Sequence, residues 1–226
     1  MTDMIKAVFF DIDGTLVDSN DHHVRAWEEA FAEVGEHFDA QVIHDQIGKG
    51  TDNLVPTLLP ELDEEAVERL GERHGAIFKA RYLDEVRPFA GARALLARVH
   101  GDGRKVVLAS SASQEELEHY IGLLDAKDLV DAGTSADDVG NTKPAPDIFA
   151  VALKKVAPIA AGQVIVVGDT PYDVEAAGKC GIAAVAVRSG GFDDAALSGA
   201  VAVYDNAADL LANYARSALA RTGDAA

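Results

Sequence analysis

An α/β chain built on a doubly wound parallel sheet, with a bundle of α-helices inserted near its start, is the architecture this sequence predicts. Two observations carry it. Short apolar runs bounded by polar or glycine residues alternate with helical patterns along most of the chain, and such alternation places parallel strands between two layers of helices. The stretch 17–87 breaks the alternation, holding helical periodicity and no convincing strand.

The first strand is Ile5 to Phe10. Its apolar run, Ala7 to Phe10, is followed at once by Asp11 with no small-residue cleavage site, so it reads as a strand and not as a signal peptide. Within the block, Val24, Trp27, Phe31 and Val34 recur at three- and four-residue spacing until Gly35 stops the helix. Further helical patterns span Asn53 to Leu59 and Glu64 to Leu83. Beyond the block, Ala92 to His100 puts Leu95, Leu96 and Val99 on one face, and Lys105 to Ala109 is the next strand. Ser113 with Glu116 three residues on is a capping-box signature for a helix start. A weak strand near Leu129 to Ala132 and a helix from Ile148 to Val156 follow. The Val- and Ile-rich runs Val164 to Val167 and Ile182 to Val187 read as strands buried on both faces, and a weak strand near Val201 to Tyr204 comes last. The expected organisation is a sheet core from 1–16 and 88–226 and a helical unit from 17–87, whose two chain crossings act as a hinge.

At 226 residues the chain is long enough for a substantial core, and an apolar fraction of 48% with 26% charged residues is that of a folded globular protein. A net charge of -18 repels phosphate backbones and anionic lipid, which excludes nucleic acid and membrane surfaces as expected partners. No apolar stretch approaches the roughly 18 residues of a membrane span. The single cysteine, Cys180, has no intramolecular partner and no metal-ligand spacing around it, which fits a reducing cytoplasm.

Polar groups gather where the buried strands end, which is where ligands bind in open parallel sheets. The first strand runs into Asp11 and Asp13, whose side chains leave the same face of an extended chain; Gly14 then permits a tight turn. The Lys105 strand ends at Ser110 and Ser111, the Val164 strand at Asp169 followed by Asp173, and Lys143 precedes a proline-containing loop that enters a helix. If the four carboxylates share one pocket, each pair about 4 Å apart repels by roughly 4 kcal/mol at an effective dielectric of about 20. Lys143 neutralises one charge of four, so a divalent cation is required, and an all-oxygen donor set suits magnesium better than zinc.

Four segments in this order, Asp11-Ile12-Asp13-Gly14-Thr15, Ser110, Lys143-Pro144-Ala145-Pro146-Asp147 and Gly168-Asp169-Thr170-Pro171-Tyr172-Asp173, resemble the motifs of the haloacid dehalogenase superfamily. The resemblance extends over about residues 5–215. It implies a Rossmann-like core with 17–87 as its cap domain. It also implies that Asp11 attacks phosphorus to form an aspartyl phosphate, and that Asp13 protonates the leaving oxygen and then activates water. By the same resemblance, Ser110 and Lys143 would bind phosphoryl oxygens. The resemblance further implies that Mg2+ would be held by the Asp11 carboxylate, the Asp13 carbonyl and Asp169, with Asp173 close by. The acid at position 13 is absent from the superfamily's dehalogenases and phosphonate-cleaving members, so phosphoryl transfer is the expected chemistry.

Gly14, Thr15, Ser111, Lys49 and His23 are the expected substrate contacts. Lys49 lies in Ile47-Gly48-Lys49-Gly50-Thr51, which lacks the spacing of a Walker A loop. The expected function is hydrolysis of a small phosphorylated metabolite, of the phosphoglycolate-phosphatase type. Two alternatives stand beside it. Lys143 to Phe149 and His23 to Trp27 also resemble segments of beta-phosphoglucomutase, and a phospho-accepting receiver module shares the Asp, Ser and Lys but lacks Asp13 and the insert. The oligomeric state is left between monomer and dimer.

Overall fold

The computed structural model describes residues 4–222; the two extremes of the core range expected above, 1–3 and 223–226, lie outside it. The central element is β1, Ala7–Phe10. It is flanked in parallel by β4, Lys105–Ala109, and β6, Val164–Gly168, with Phe10 opposite Leu108 on one side and Val167 on the other. Outside these lie β5 (Ala132–Thr134), β7 (Ala183–Val187) and β8 (Ala202–Tyr204), giving the order β5-β4-β1-β6-β7-β8 with every pairing parallel.

Alternation along the strands divides the core in two. Val8 and Phe10 of β1, with Val106 and Leu108 of β4, pack against Leu95 and Leu96 of α5 (Ala92–Gly101), Leu117 of α6 (Gln114–Leu123) and Leu210 of α9 (Ala207–Ala212). Ala7 and Phe9, with Val107 and Ala109, face Ile148 and Phe149 of α7 (Asp147–Lys155) and Ala176 of α8 (Pro171–Lys179). Covered on both faces, the strands have no polar side, which is why they read as unbroken apolar runs.

The stretch after β1 folds into four helices: α1 (Asn20–Glu33), α2 (Ala40–His44), α3 (Thr51–Leu58) and α4 (Glu64–Arg81). Trp27 and Phe31 of α1 pack with Leu70 and Phe78 of α4. Asp63 caps α4 by accepting from Ala66 N at 2.8 Å. At the base of this bundle, β2 (Val17–Asp18) pairs antiparallel with β3 (Arg87–Pro88), so the two chain crossings form a short ribbon. Strands of two residues carry no readable period, and the sequence shows none there. The weak strand placed near Leu129 to Ala132 is displaced to Ala132–Thr134. Leu129 instead anchors the turn after α6, and Asp131 accepts from Val106 N at 2.9 Å as the chain enters the sheet.

Candidate active site

The carboxyl ends of β1, β4 and β6 bring Asp11, Ser110 and Asp169 together, because parallel neighbours in register end at the same level. Lys143, from the loop before α7, reaches beneath them: its Nζ lies 2.5 Å from Asp11 Oδ1 and 2.7 Å from Asp173 Oδ1. Asp11, Lys143, Asp169 and Asp173 are each at most 3% exposed. Asp173 is also the N3 residue of a capping box on α8: its Oδ2 accepts from Thr170 Oγ1 at 2.6 Å and from Thr170 N at 3.2 Å. It is thereby a fixed anchor for the Lys143 ammonium.

Asp169 is held from the other side, by Thr15 Oγ1 at 2.8 Å and Asn20 Nδ2 at 3.1 Å. Gly14, with φ +70, lies so close that an added Cβ would stand 2.2 Å from Asp169 Oδ2. Gly14 and Thr15, expected as substrate contacts, therefore lie beneath the site, and their contacts run to Asp169 and, through the Gly14 carbonyl, to Ser189 Oγ at 2.7 Å.

Burial pushes the Asp11 carboxyl up to about 7 against the pull of Lys143, with Asp173 and Asp13 adding to the rise. Burial raises Asp169 well above the carboxylate range too, reinforced by the charges of Asp11 and Asp173. Burial lowers Lys143, but Asp11 and Asp173 more than reverse this, so its pKa is raised and it stays charged. The pocket is thus short of positive charge. Oxygens of Asp11, Asp169 and Asp173 lie within 4.8 Å of one another. Three buried carboxylates with one ammonium, and no nitrogen or sulfur donor among them, fit a hard divalent cation.

The Asp13 carboxylate turns away from this cluster. Its Oδ1 accepts from Ser19 Oγ at 2.6 Å and meets His23 Nε2 at 3.3 Å, while Ser110 Oγ lies 3.5 Å from Oδ2. Burial pushes Asp13 up, yet the His23 bond and charge, then Ser19, hold it below the usual range. Burial lowers His23, but the bond to Asp13 and its charge leave the ring above its ordinary value. Behind it, His23 Nδ1 meets His74 Nε2 at 3.4 Å, and His74 stacks on Trp27 with ring centres 4.0 Å apart. Burial and the neighbouring His23 keep His74 well below its ordinary value, hence neutral.

A cleft of about 260 Å³ opens above Asp11 and Asp13, walled by His23, Trp27, His74 and the 47–51 loop on one side and by Ser110, Ser111 and Glu116 on the other. Lys49 lies on its wall, with its ammonium 2.6 Å from Gln46 Oε1 and 4.8 Å from the centre of the Tyr172 ring. Ser111 Oγ donates to Gly48 O at 3.3 Å, joining the strand end to that loop. The helical insert also meets the segment before α7 at Thr142. Gly50 N donates to its Oγ1 at 2.9 Å, and Thr142 N and Oγ1 both donate to the Asp52 carboxylate.

His74, Asn20, Ser19 and Thr142 are site residues that sequence reasoning passed over. Ser19 and Asn20 stand at the start of α1, a position whose polarity is ordinarily explained by capping, and here no side-chain cap bond forms. His74 carries no local signal, since only folding brings it to His23.

Comparison with known proteins agrees with this arrangement. The haloacid dehalogenase-like hydrolase family matches over residues 8–187. The chain is 31% identical over 194 residues to a probable phosphatase, IndB, of Dickeya dadantii, covering 83% of each protein. It is 28% identical to the fructose-1-phosphate phosphatase YqaB of Escherichia coli, covering 83% of this chain and 99% of that one. A hydrolase from Pseudomonas syringae superposes with a TM-score of 0.87 at 30% identity, over 94% of this chain and 98% of that one. With the sheet order, the buried aspartate cluster and these matches in hand, the chain belongs to the haloacid dehalogenase-like hydrolases.

Proposed function

We infer that the protein is a magnesium-dependent phosphatase that hydrolyses a small phosphate monoester, a sugar or polyol phosphate, through an aspartyl phosphate on Asp11. The observation that carries this is the pairing of two carboxylates with opposite surroundings at the floor of one cleft. Asp11 is bound to Lys143, while Asp13 is held by Ser19 and His23. The partners divide the roles: the Lys143 ammonium beside Asp11 suits attack on an anionic phosphoryl group, and the His23 ring beside Asp13 suits proton transfer.

Asp11 attacks phosphorus, and the bond to the ester oxygen breaks as the bond to the carboxylate oxygen forms. Lys143 and the Ser110 hydroxyl bind the phosphoryl oxygens and fix the in-line geometry. Asp13, held ionised beside His23, delivers to the departing alkoxide the proton that the raised His23 ring carries. In the second half it takes a proton from water, which attacks phosphorus and releases inorganic phosphate and free Asp11. His23 holds Asp13 in place and shares its proton. Asp11, Asp169 and the Asp13 backbone carbonyl would hold the cation, with Asp173 close by. When bound it neutralises charge on the phosphoryl group and the surrounding carboxylates.

Residues 17–87 act as a movable cap over the core formed by 1–16 and 88–226, and the 17–18 and 87–88 ribbon is the hinge. The cleft volume fits a small metabolite, and the relative named for fructose 1-phosphate supports the same class. The test is phosphate release from a panel of phosphorylated metabolites with magnesium, for the wild-type chain and Asp11→Asn. Release that Asp11→Asn abolishes supports the reading; undiminished release by the variant refutes the nucleophile. Interconversion of a sugar phosphate without free phosphate supports the mutase alternative.

A further inference from the structure

Helix α4 carries two glycines four residues apart, Gly71 and Gly75, and both lie on the wall of the cleft. Glycine is the least favourable residue inside a helix after proline, so each needs a reason. Gly71 has one in packing: a Cβ there would stand 2.4 Å from Thr51 Cγ2, where α3 meets α4. Gly75 has none of that kind. A Cβ built on it meets nothing within 4 Å, and it is not among the glycines of positive φ. It follows His74, which stacks on Trp27 at 4.0 Å, and precedes Lys79, which also borders the cleft, by one helical turn.

We propose that Gly75 sets the size of leaving group the enzyme accepts, because the side chain it lacks is the space into which the organic part of the phosphate ester extends beside His74. This rests on the phosphatase reading above. Helix stability is given up at this position for room in the cleft, the kind of trade that marks a functional position. A methyl here meets no protein atom, so the fold tolerates it, and a longer side chain takes space from a bulky substrate.

The experiment compares the wild-type chain, Gly75→Ala and Gly75→Leu on the smallest and the largest monoester that the wild type turns over, reading kcat/KM for each together with Tm. The expected result is a large-to-small kcat/KM ratio that falls about tenfold in Gly75→Leu and less in Gly75→Ala, while Gly75→Ala raises Tm by about 2 °C. Gly122→Ala is the control: Gly122 lies in α6, is equally open and is away from the cleft. It raises Tm similarly and leaves the ratio unaltered. An unaltered ratio in folded Gly75→Leu, or in Gly75→Ala if the leucine variant does not fold, overturns the proposal, as does a Tm that falls in Gly75→Ala. Normal wild-type turnover with an unaltered variant ratio refutes this inference alone; a wild-type chain that releases phosphate from no monoester refutes the phosphatase reading and this inference with it.

Discussion

Replacing Lys143 with methionine keeps the apolar stem and deletes the one ammonium that separates two buried carboxylates. In the wild type that ammonium stands 2.5 Å from Asp11 and 2.7 Å from Asp173, inside the core. Removing one partner of a buried ion pair costs about 3–5 kcal/mol, since the remaining charge is left uncompensated; for a chain of this size that lowers Tm by about 10 °C. The loss depends on pH. Asp11 is raised to about 7 even beside Lys143, and without the ammonium it rises further. A folded-state pKa above the unfolded value means that the folded protein holds the extra proton. Its stabilising contribution is complete below the unfolded value of 3.8 and is lost as pH climbs towards the folded one. At pH 5.5 Asp11 is protonated with or without Lys143, so less attraction is there to lose. At pH 8 the wild type holds an ionised pair and the variant cannot. Thermal unfolding of both proteins in chelator at the two pH values reads this directly. The expected result is a Tm deficit at pH 8 at least twice that at pH 5.5. An equal deficit at both would show that Lys143 contributes only packing, and would refute the charge argument on which the metal assignment rests.

Three other outcomes follow from the geometry. Gly14→Ala, which places a methyl 2.2 Å from Asp169 Oδ2 at a φ of +70, is expected to lower magnesium affinity at least tenfold, measured by calorimetry against the wild type. Magnesium affinity of the wild type rises with pH between 6 and 8, because cation binding must expel the protons that burial holds on Asp11 and Asp169. Calorimetry in buffers of different ionisation enthalpy shows the proton release. Thr142→Val removes the hydroxyl that meets Gly50 N and Asp52 across the cap and core. A lost bond to a charged group is worth about 1.5–3 kcal/mol, so KM for a substrate enclosed by the cap rises about tenfold or more, while kcat changes less in steady-state assays.

The sheet was legible because its strands are buried on both faces, so β1, β4, β6 and β7 stand out as apolar runs. Ser113 with Glu116 marked the start of α6, and both halves of that capping box form. Thr170 with Asp173 is the same device at α8, but there the reading of Asp173 as a metal-site acid hid the helix it opens. The five-residue α2 and the two-residue β2 and β3 were not legible, since elements so short carry no period and depend on their neighbours. Strand ends led to the expectation of Asp11, Asp13, Asp169 and Asp173 in one pocket with Lys143 from a loop; three of these carboxylates gather around Lys143, and that of Asp13 turns away to Ser19 and His23. What could not be anticipated was the division of labour around this cluster. Thr15 and Asn20 brace Asp169, and His23 with His74 stands behind Asp13, through contacts between residues up to 154 positions apart.

The central claim is that Asp11 carries the phosphoryl group between two half-reactions. Rapid-quench trapping with a radiolabelled phosphate ester and magnesium, followed by peptide mapping, tests it most directly. Label on the peptide that contains Asp11, appearing before free phosphate and absent from Asp11→Asn, is the result predicted. Free phosphate that forms at full rate with no labelled protein at any time, or label that persists in Asp11→Asn, would contradict it.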